Sequence, residues 1–442
     1  MPGRGPVLAL GLVLGALPLG ALALLLVRRP QLAPWGALLV FATSAELKLR
    51  VSSTVGVLKD GYVFLLVVLV VLLVLRRPTT LRRLLPLALP LAALGVLVAM
   101  YLVDPAGSHG SSWLFGTRLL IEVLVLLLVG LLLDPHRSLV HLVGAMAVVL
   151  PFEAVLAWAQ QAAGMDALVY QWGYEFGAQV RTTSSGGLRV SGTFEDPFQL
   201  AALAVLGLAL ALFVAPRRQA WLIGVSAVAV LAATEVRTAY IQVALLLVVW
   251  GVRRGWGRQA TAFGLLAAIL GVLVLATTTS SVTPGAPAEP LLFTLNGRLT
   301  SWSLAIEGAE SLVTGNGVGA RGIGSTRTSV VASAPAYDGS APDAYYAGNP
   351  AFLDSSYAQV QSDVGVVGSA ALLVALAGLA VYLARICRAG RDDASWAAMA
   401  ALIITLFDWV GRSSLASYTT GFLSLYILGV LIGATTQRED PR

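Results

Sequence analysis

The feature that most constrains this chain is a recurrence: apolar stretches of about 20 residues, the length that crosses a bilayer, follow one another along nearly its whole length. Short turns carrying arginine separate them. Helices prevail at such lengths in lipid because each satisfies its own backbone where water is absent. Composition closes the alternative. Of 442 residues, 57% are hydrophobic and 12% charged, with a mean hydropathy of +0.82. Soluble domains carry roughly 25% charged residues, and a sphere this poor in charge could not cover its surface with polar groups. The sequence therefore reads as an all-α polytopic membrane protein and excludes a soluble globular domain.

The candidate spans are about 6–27, 32–47, 61–75, 84–103, 118–133, 139–162, 198–215, 220–234, 238–252, 260–277, 360–384, 396–411 and 417–434. The first, from Pro6 to Val27, is followed by Arg28, Arg29 and a second apolar run, so it is read as a retained helix and not a cleaved leader. The connecting turns fall into two alternating sets. One holds Arg28/Arg29, Arg76/Arg77/Arg82/Arg83, Arg137, Arg217/Arg218, Arg253/Arg254/Arg258, Arg385/Arg388/Arg391 and the tail with Arg438 and Arg442, which is 17 of the 29 basic residues. The positive-inside rule assigns that set to the cytoplasm, with the C-terminus. Thirteen spans put the N-terminus outside, and twelve put it inside. The net charge of +6 is thus a topology signal and does not point to nucleic acid.

The other set of turns contains the two long polar segments, about 163–197 and 278–359. Long ordered loops usually carry function. The chain then divides into N-terminal spans (1–162), a first outer loop (163–197), central spans (198–277), a large outer loop with an interfacial helix (278–359), and C-terminal spans with a cytoplasmic tail (360–442). Chemistry on the outer side works without nucleotide donors.

Candidate site residues cluster in these outer segments. Arg189 precedes Ser191-Gly-Thr, and Glu195, Asp196 and Pro197 open the next span, with Asp196 as helix cap and Pro197 in the first turn. The bland alternative is that Asp196 only caps and Arg189 only reaches the interface. Thr234-Glu-Val-Arg237 is a very short outer turn, or a break within the membrane, whose arginine begins an otherwise apolar span, a costly placement that by default suggests function. Glu235 could simply pair with Arg237. In the second loop, Leu299, Trp302, Ile306, Ala309 and Val313 recur at helical spacing, which predicts an amphipathic helix on the membrane surface with Arg298 at its N-terminus, a good anion site. The turn Gly315-Asn-Gly-Val-Gly-Ala-Arg-Gly-Ile-Gly lacks a preceding strand and is not a nucleotide loop. Its glycines suit a tight turn near a ligand or another backbone, and Arg321 and Arg327 read as solvated. Asp354 lies just above a span, with Ser355, Tyr357 and Gln361 on roughly one side of the helix. It could take a proton from a hydroxyl, orient a sugar, or merely cap.

The single cysteine, Cys387, and three histidines, His109, His136 and His141, form no metal-ligand pattern. Arginines at span ends with carboxylates nearby suit a phosphate ester. Guanidinium groups bind pyrophosphate through paired charge-assisted hydrogen bonds and stabilise it as a leaving group.

Three ordered stretches resemble the bacterial O-antigen ligase/polymerase superfamily: Arg189-Val-Ser-Gly-Thr-Phe-Glu-Asp-Pro, Asn296-Gly-Arg-Leu-Thr-Ser-Trp leading into Gly315-Asn-Gly-Val-Gly, and Asp354-Ser-Ser-Tyr with Asp363-Val-Gly-Val-Val-Gly. Thr234-Glu-Val-Arg237 looks like the family's short serine–arginine turn. The likeness covers about residues 185–370. It implies a C-type glycosyltransferase-like fold in the bacterial cytoplasmic membrane with an outward-facing site. It implies metal-independent transfer, without cofactor, from undecaprenyl-pyrophosphate-linked oligosaccharide. Arg189 and Arg298 match arginines proposed to bind the pyrophosphate, and with Asp354 they are the expected catalytic residues. Arg237, Glu195, Asp196 and Tyr357 are expected to bind substrate. Ligases of the family usually carry histidine then asparagine where this chain has Asp354-Ser355, and polymerase-type relatives often carry aspartate. The expectation is therefore polymerisation of lipid-linked repeat units, in contact with membrane lipids and other glycan-assembly proteins. The alternatives are a ligase moving a finished glycan, a lipid-oligosaccharide flippase, suggested by Glu122, Glu153 and Asp408 within candidate spans, and a non-catalytic scaffold.

Overall fold

The structure is a computed structural model that describes residues 22, 24–50, 57–107, 109–176, 179–182, 187–255, 257, 312–321, 353, 355–390, 392–416 and 419–436. These residues form eleven α-helices: α1 (Ala33–Arg50), α2 (Val57–Arg76), α3 (Ala88–Val103), α4 (Ser111–Leu132), α5 (Pro135–Asp166), α6 (Pro197–Phe213), α7 (Arg217–Thr234), α8 (Arg237–Arg253), α9 (Ser356–Ala389), α10 (Asp393–Gly411) and α11 (Thr420–Thr436). Each falls on one of the expected spans. The expected spans 260–277 and nearly all of 6–27, and the interfacial helix up to residue 311, lie outside the described residues. Six described helical segments are long and apolar enough to cross a membrane, and the fold is that of an all-α polytopic membrane protein. Phe64, Leu75, Leu89, Val140, Phe152 and Val155 stand exposed on them, an arrangement that lipid tolerates and water does not.

α11 sits at the centre. Residues 419–435 are buried throughout, as expected for a helix that is apolar on every side. It packs most extensively on α4, backbone to backbone. A methyl placed on Gly429 would lie 2.3 Å from the Leu127 carbonyl oxygen, and one on Gly130 would lie 2.5 Å from that of Tyr426. Close approach through small residues is the usual route to helix association in lipid, where hydrophobic burial contributes little. α3 packs on α9, and α5 and α6 both pack on α7.

α1 to α8 alternate in direction, α9 starts at the same end as α8, and α10 and α11 alternate again, so the bundle has two chemically distinct ends. At one end Arg253 pairs with Asp393 at 2.9 Å and Arg137 with Asp134 at 3.8 Å. This end carries the described arginine clusters of the basic turns. At the other end, contacts join the last turns of α1, α3, α5, α7 and α10 to the first turns of α2, α4, α6, α8, α9 and α11. The polar turns of the sequence meet there.

Candidate functional site

The first polar segment is not a free loop. α5 runs to Asp166 and is succeeded by one wide helical turn, Ala167–Gln171. A two-residue hairpin then pairs β1 (Arg181–Thr182) with β2 (Leu188–Arg189), Arg181 opposite Arg189. Three polar side chains of α5 hold this hairpin and the residues between it and α6. Gln161 donates to the carbonyls of Leu188 (2.6 Å) and Ala233 (2.7 Å). Gln160 exchanges two bonds with the backbone of Gly192, both 2.9 Å. The Glu153 carboxylate accepts from the Thr193 N–H at 3.0 Å and from its hydroxyl. Gly192 has φ +60°, and a methyl there would lie 2.1 Å from Glu153 Oε2, so glycine is required twice over. Residues 190–194 are thereby buried between helices.

Gln161 also decides where Arg189 lies. By holding both Leu188 and Ala233, it sets the Arg189 hairpin against the end of α7. There Glu235, in the left-handed region at φ +48°, turns the chain directly into α8 at Arg237. Tyr240, one turn into α8, interacts electrostatically with both Arg189 and Glu235. Arg189 and Arg237 therefore belong to adjoining segments at one end of the bundle.

The Glu195-Asp196 pair is clamped from two sides. Asp196 caps α6, accepting from the Gln199 N–H at 2.8 Å, as the sequence suggests. It also faces Arg412, at 3.8 Å. Glu195 pairs with Lys59 of α2 at 3.1 Å. Arg412, just past α10, further donates to the Phe198 carbonyl (3.0 Å) and to Asp408 (3.2 Å), and its guanidinium stands 5.1 Å from the Phe198 ring centre. Asp408 in turn accepts from Gln242 of α8 at 3.4 Å. Lys59 and Arg412 were not among the residues singled out from the sequence. Asp408 within a span was the available signal, since a carboxylate at that depth needs a partner and Arg412 is one turn away.

Asp354 and Arg298 lie outside the described residues, so the meeting of Arg189 with Arg298 is not described either. The neighbour of Asp354 is fixed. Ser355 caps α9 and donates to the Trp409 carbonyl at 3.0 Å, while Ser356 donates both its N–H (3.0 Å) and its hydroxyl (2.9 Å) to the Arg412 carbonyl. The start of α9 is thus tied to Arg412, and through it to Asp196. Tyr357 donates to the Leu406 carbonyl at 3.3 Å and packs edge-on against Trp409. Gln361 instead reaches the Leu312 carbonyl at 3.3 Å, so these two polar side chains serve different neighbours.

The glycine-rich turn meets another backbone. Gly315, Gly317 and Gly319 all have positive φ, and the turn lies against the break that Gly365 (φ +68°) makes in α9. Methyls on Gly315 or Gly365 would lie within 2.8 Å of the facing backbone. Asp363, buried at that break, accepts from Tyr101 (2.8 Å), Gln359 (2.9 Å) and the Gly319 N–H (3.3 Å). Asp104 accepts from the Val318 N–H at 3.1 Å. These two carboxylates fasten the turn to α3 and α9.

Among the described residues no group of three or more histidine, cysteine, aspartate or glutamate side chains could hold a metal ion. Tyr174, beyond the end of the α5 helical run, donates to Glu46 at 2.9 Å; burial, reinforced by the Glu46 charge, pushes its hydroxyl up to about 12. The class defined by this architecture is a polytopic helical membrane protein with one polar, charge-lined end. No protein-family model matches the chain, and no curated protein matches it.

Proposed function

We propose that the chain polymerises lipid-pyrophosphate-linked oligosaccharide repeat units into a surface polysaccharide or exopolysaccharide. The reaction takes place at the polar end of the bundle, on the non-cytoplasmic side of a bacterial cytoplasmic membrane. The observation that carries this reading is the bridge made by Gln161, which brings the Arg189 hairpin against the turn that starts α8 at Arg237. Two guanidinium-bearing segments at one end of the bundle suit a diphosphate better than a neutral solute. The basic turns lie at the opposite end, and the positive-inside rule assigns that end to the cytoplasm.

In the proposed reaction a hydroxyl oxygen of one lipid-linked unit attacks the anomeric carbon of another. The bond from that carbon to the diphosphate oxygen breaks, and its electron pair leaves with the diphosphate. The hydroxyl proton passes to a carboxylate, for which Asp354 stands one residue before the fixed Ser355 cap. Arg189, Arg298 and Arg237 stabilise the charge that develops on the leaving group.

The test uses the full chain in proteoliposomes, supplied with polyprenyl-pyrophosphate-linked oligosaccharide from the source cells. The product should be a ladder of repeat numbers. Arg189→Ala should reduce it about 100-fold or more, as when one transition-state donor is removed. Arg189→Lys should recover part of the loss, because lysine keeps the charge without the fork. A full ladder from Arg189→Ala would refute the assigned role. A single transfer step without a ladder identifies a ligase, and lipid-oligosaccharide crossing the vesicle without new bonds identifies a transporter.

A further inference from the structure

The sequence has two lysines among its 29 basic residues, and one of them is buried. Lys59, in the first turn of α2, is 1% exposed, whereas the side chain of its partner Glu195 is 29% exposed. Lysine is rarely buried to that degree unless paired. A buried pair is weak support for stability, since desolvation offsets much of the attraction. An ionisable residue so placed in a membrane protein is by default a sign of function.

Among the described ion pairs of the polar end, the acidic partner of Lys59 is as exposed as any, and the neighbouring cations are shared among several groups. Arg118 on α4 is committed to Asp60 at 3.1 Å and to Glu122 at 3.4 Å. Arg412 is divided among Asp196, Asp408 and the Phe198 carbonyl. Glu195 can leave Lys59 without moving the backbone that carries it. The next residue, Asp196, is fixed by its cap on Gln199 and by Arg412, and Thr193 is fixed by Glu153. The side chain that would swing away is also the one that faces solvent.

We infer that Lys59 is a further diphosphate-binding residue of the site proposed above, on which this inference rests, and that Glu195 is an internal stand-in for the ligand. Glu195 neutralises Lys59 in the ligand-free chain. An arriving diphosphate carries more negative charge than one carboxylate and more acceptor oxygens, so it displaces Glu195 from the ammonium group. Glu195 then turns outward. The pair works as a competitive latch that selects against singly charged phosphodiesters, such as ordinary membrane lipids.

The experiment titrates the detergent-solubilised full chain with inorganic pyrophosphate and, separately, with farnesyl diphosphate, reading ligand-induced thermal stabilisation and direct binding. Binding of both probes identifies the diphosphate itself as the recognised group, and binding of farnesyl diphosphate alone identifies a lipid-bearing source. Lys59→Met should weaken binding about tenfold or more, the scale of one lost charge-assisted contact. Glu195→Gln removes the competitor, so it should bind diphosphate more tightly than the unaltered chain and be stabilised more by it. The Glu195→Gln arm keeps the test decisive if Lys59→Met fails to fold, because a purely structural pair predicts no gain in ligand-induced stabilisation. If Arg189→Ala weakens binding while Lys59→Met and Glu195→Gln match the unaltered chain, the latch is wrong and the glycosyl-transfer reading stands. If the unaltered chain binds neither probe, that reading falls and takes the latch with it.

Discussion

Gly192→Ala is the substitution whose consequence can be worked most completely. At φ +60° an alanine occupies the left-handed region, at a cost of about 1–2 kcal/mol. Its methyl would also stand 2.1 Å from Glu153 Oε2 and 3.0 Å from Leu200 Cδ2. The carboxylate is the movable partner, but it is 1% exposed and holds both the N–H and the hydroxyl of Thr193. Displacing it forfeits two buried hydrogen bonds, about 0.5–1.5 kcal/mol each. The expected total is about 2–5 kcal/mol. The assay is unfolding of the detergent-solubilised chain monitored by tryptophan fluorescence. Gly224→Ala serves as comparison, since a methyl there meets nothing within 4 Å on a helix and should be neutral or slightly stabilising. The decisive step is a cycle with Glu153→Ala. Once the carboxylate is gone, Gly192→Ala should cost only its left-handed penalty and the small adjustment of Leu200. An equal cost in both backgrounds would refute the steric argument.

Packing and titration each give a further expected outcome. Gly429→Leu should force α11 off α4, because even a methyl there approaches the Leu127 carbonyl to 2.3 Å, whereas Gly95→Ala meets nothing within 4 Å; yield of monodisperse protein separates the two, and equal yields would contradict the close-contact reading. Tyr174 has its hydroxyl pushed up to about 12 from an ordinary 10, so the stability it contributes is complete below pH 10 and is lost as pH rises toward 12. Thermal midpoints across that window should fall more steeply for the unaltered chain than for Tyr174→Phe, and parallel curves would show that the hydroxyl is not held as described.

The helices were legible because lipid imposes a length and a composition, and both are written locally. Pro197 and Asp196 mark the start of α6, and Thr234-Glu-Val-Arg237 marks a short turn or a break within the membrane, which the left-handed Glu235 resolves as the turn between α7 and α8. The glycine-rich turn was legible in kind, as a tight turn near a ligand or another backbone, but which of the two, and its partner at Gly365, were not. What the sequence did not disclose is which side chains meet. Lys59 and Glu195 are 136 residues apart, and Arg412 and the Phe198 carbonyl 214. Such pairs leave no periodic trace. Gln160 and Gln161 were passed over because glutamine near the end of an apolar helix reads as interfacial polarity. The cue available was energetic: Glu153 and Asp408, written into apolar runs, each required a partner from somewhere else in the chain.

That requirement also explains why the polar end is one connected object and not a collection of separate arginines. Glu153 fixes Thr193, Thr193 precedes the Glu195-Asp196 pair by two residues, Asp196 meets Arg412, and the Arg412 carbonyl receives Ser356 at the start of α9. On the other flank Gln161 ties the Arg189 strand to the α7–α8 turn. A charge in a low-dielectric setting is tolerable only when its partners are held in place. The described segments that carry Arg189, Glu195 and Asp196 are therefore held by buried polar groups of the spans, and those groups owe their own tolerability to these segments. Fold and polar end are specified together here: the residues that gather its charges are the same ones that make it foldable in lipid.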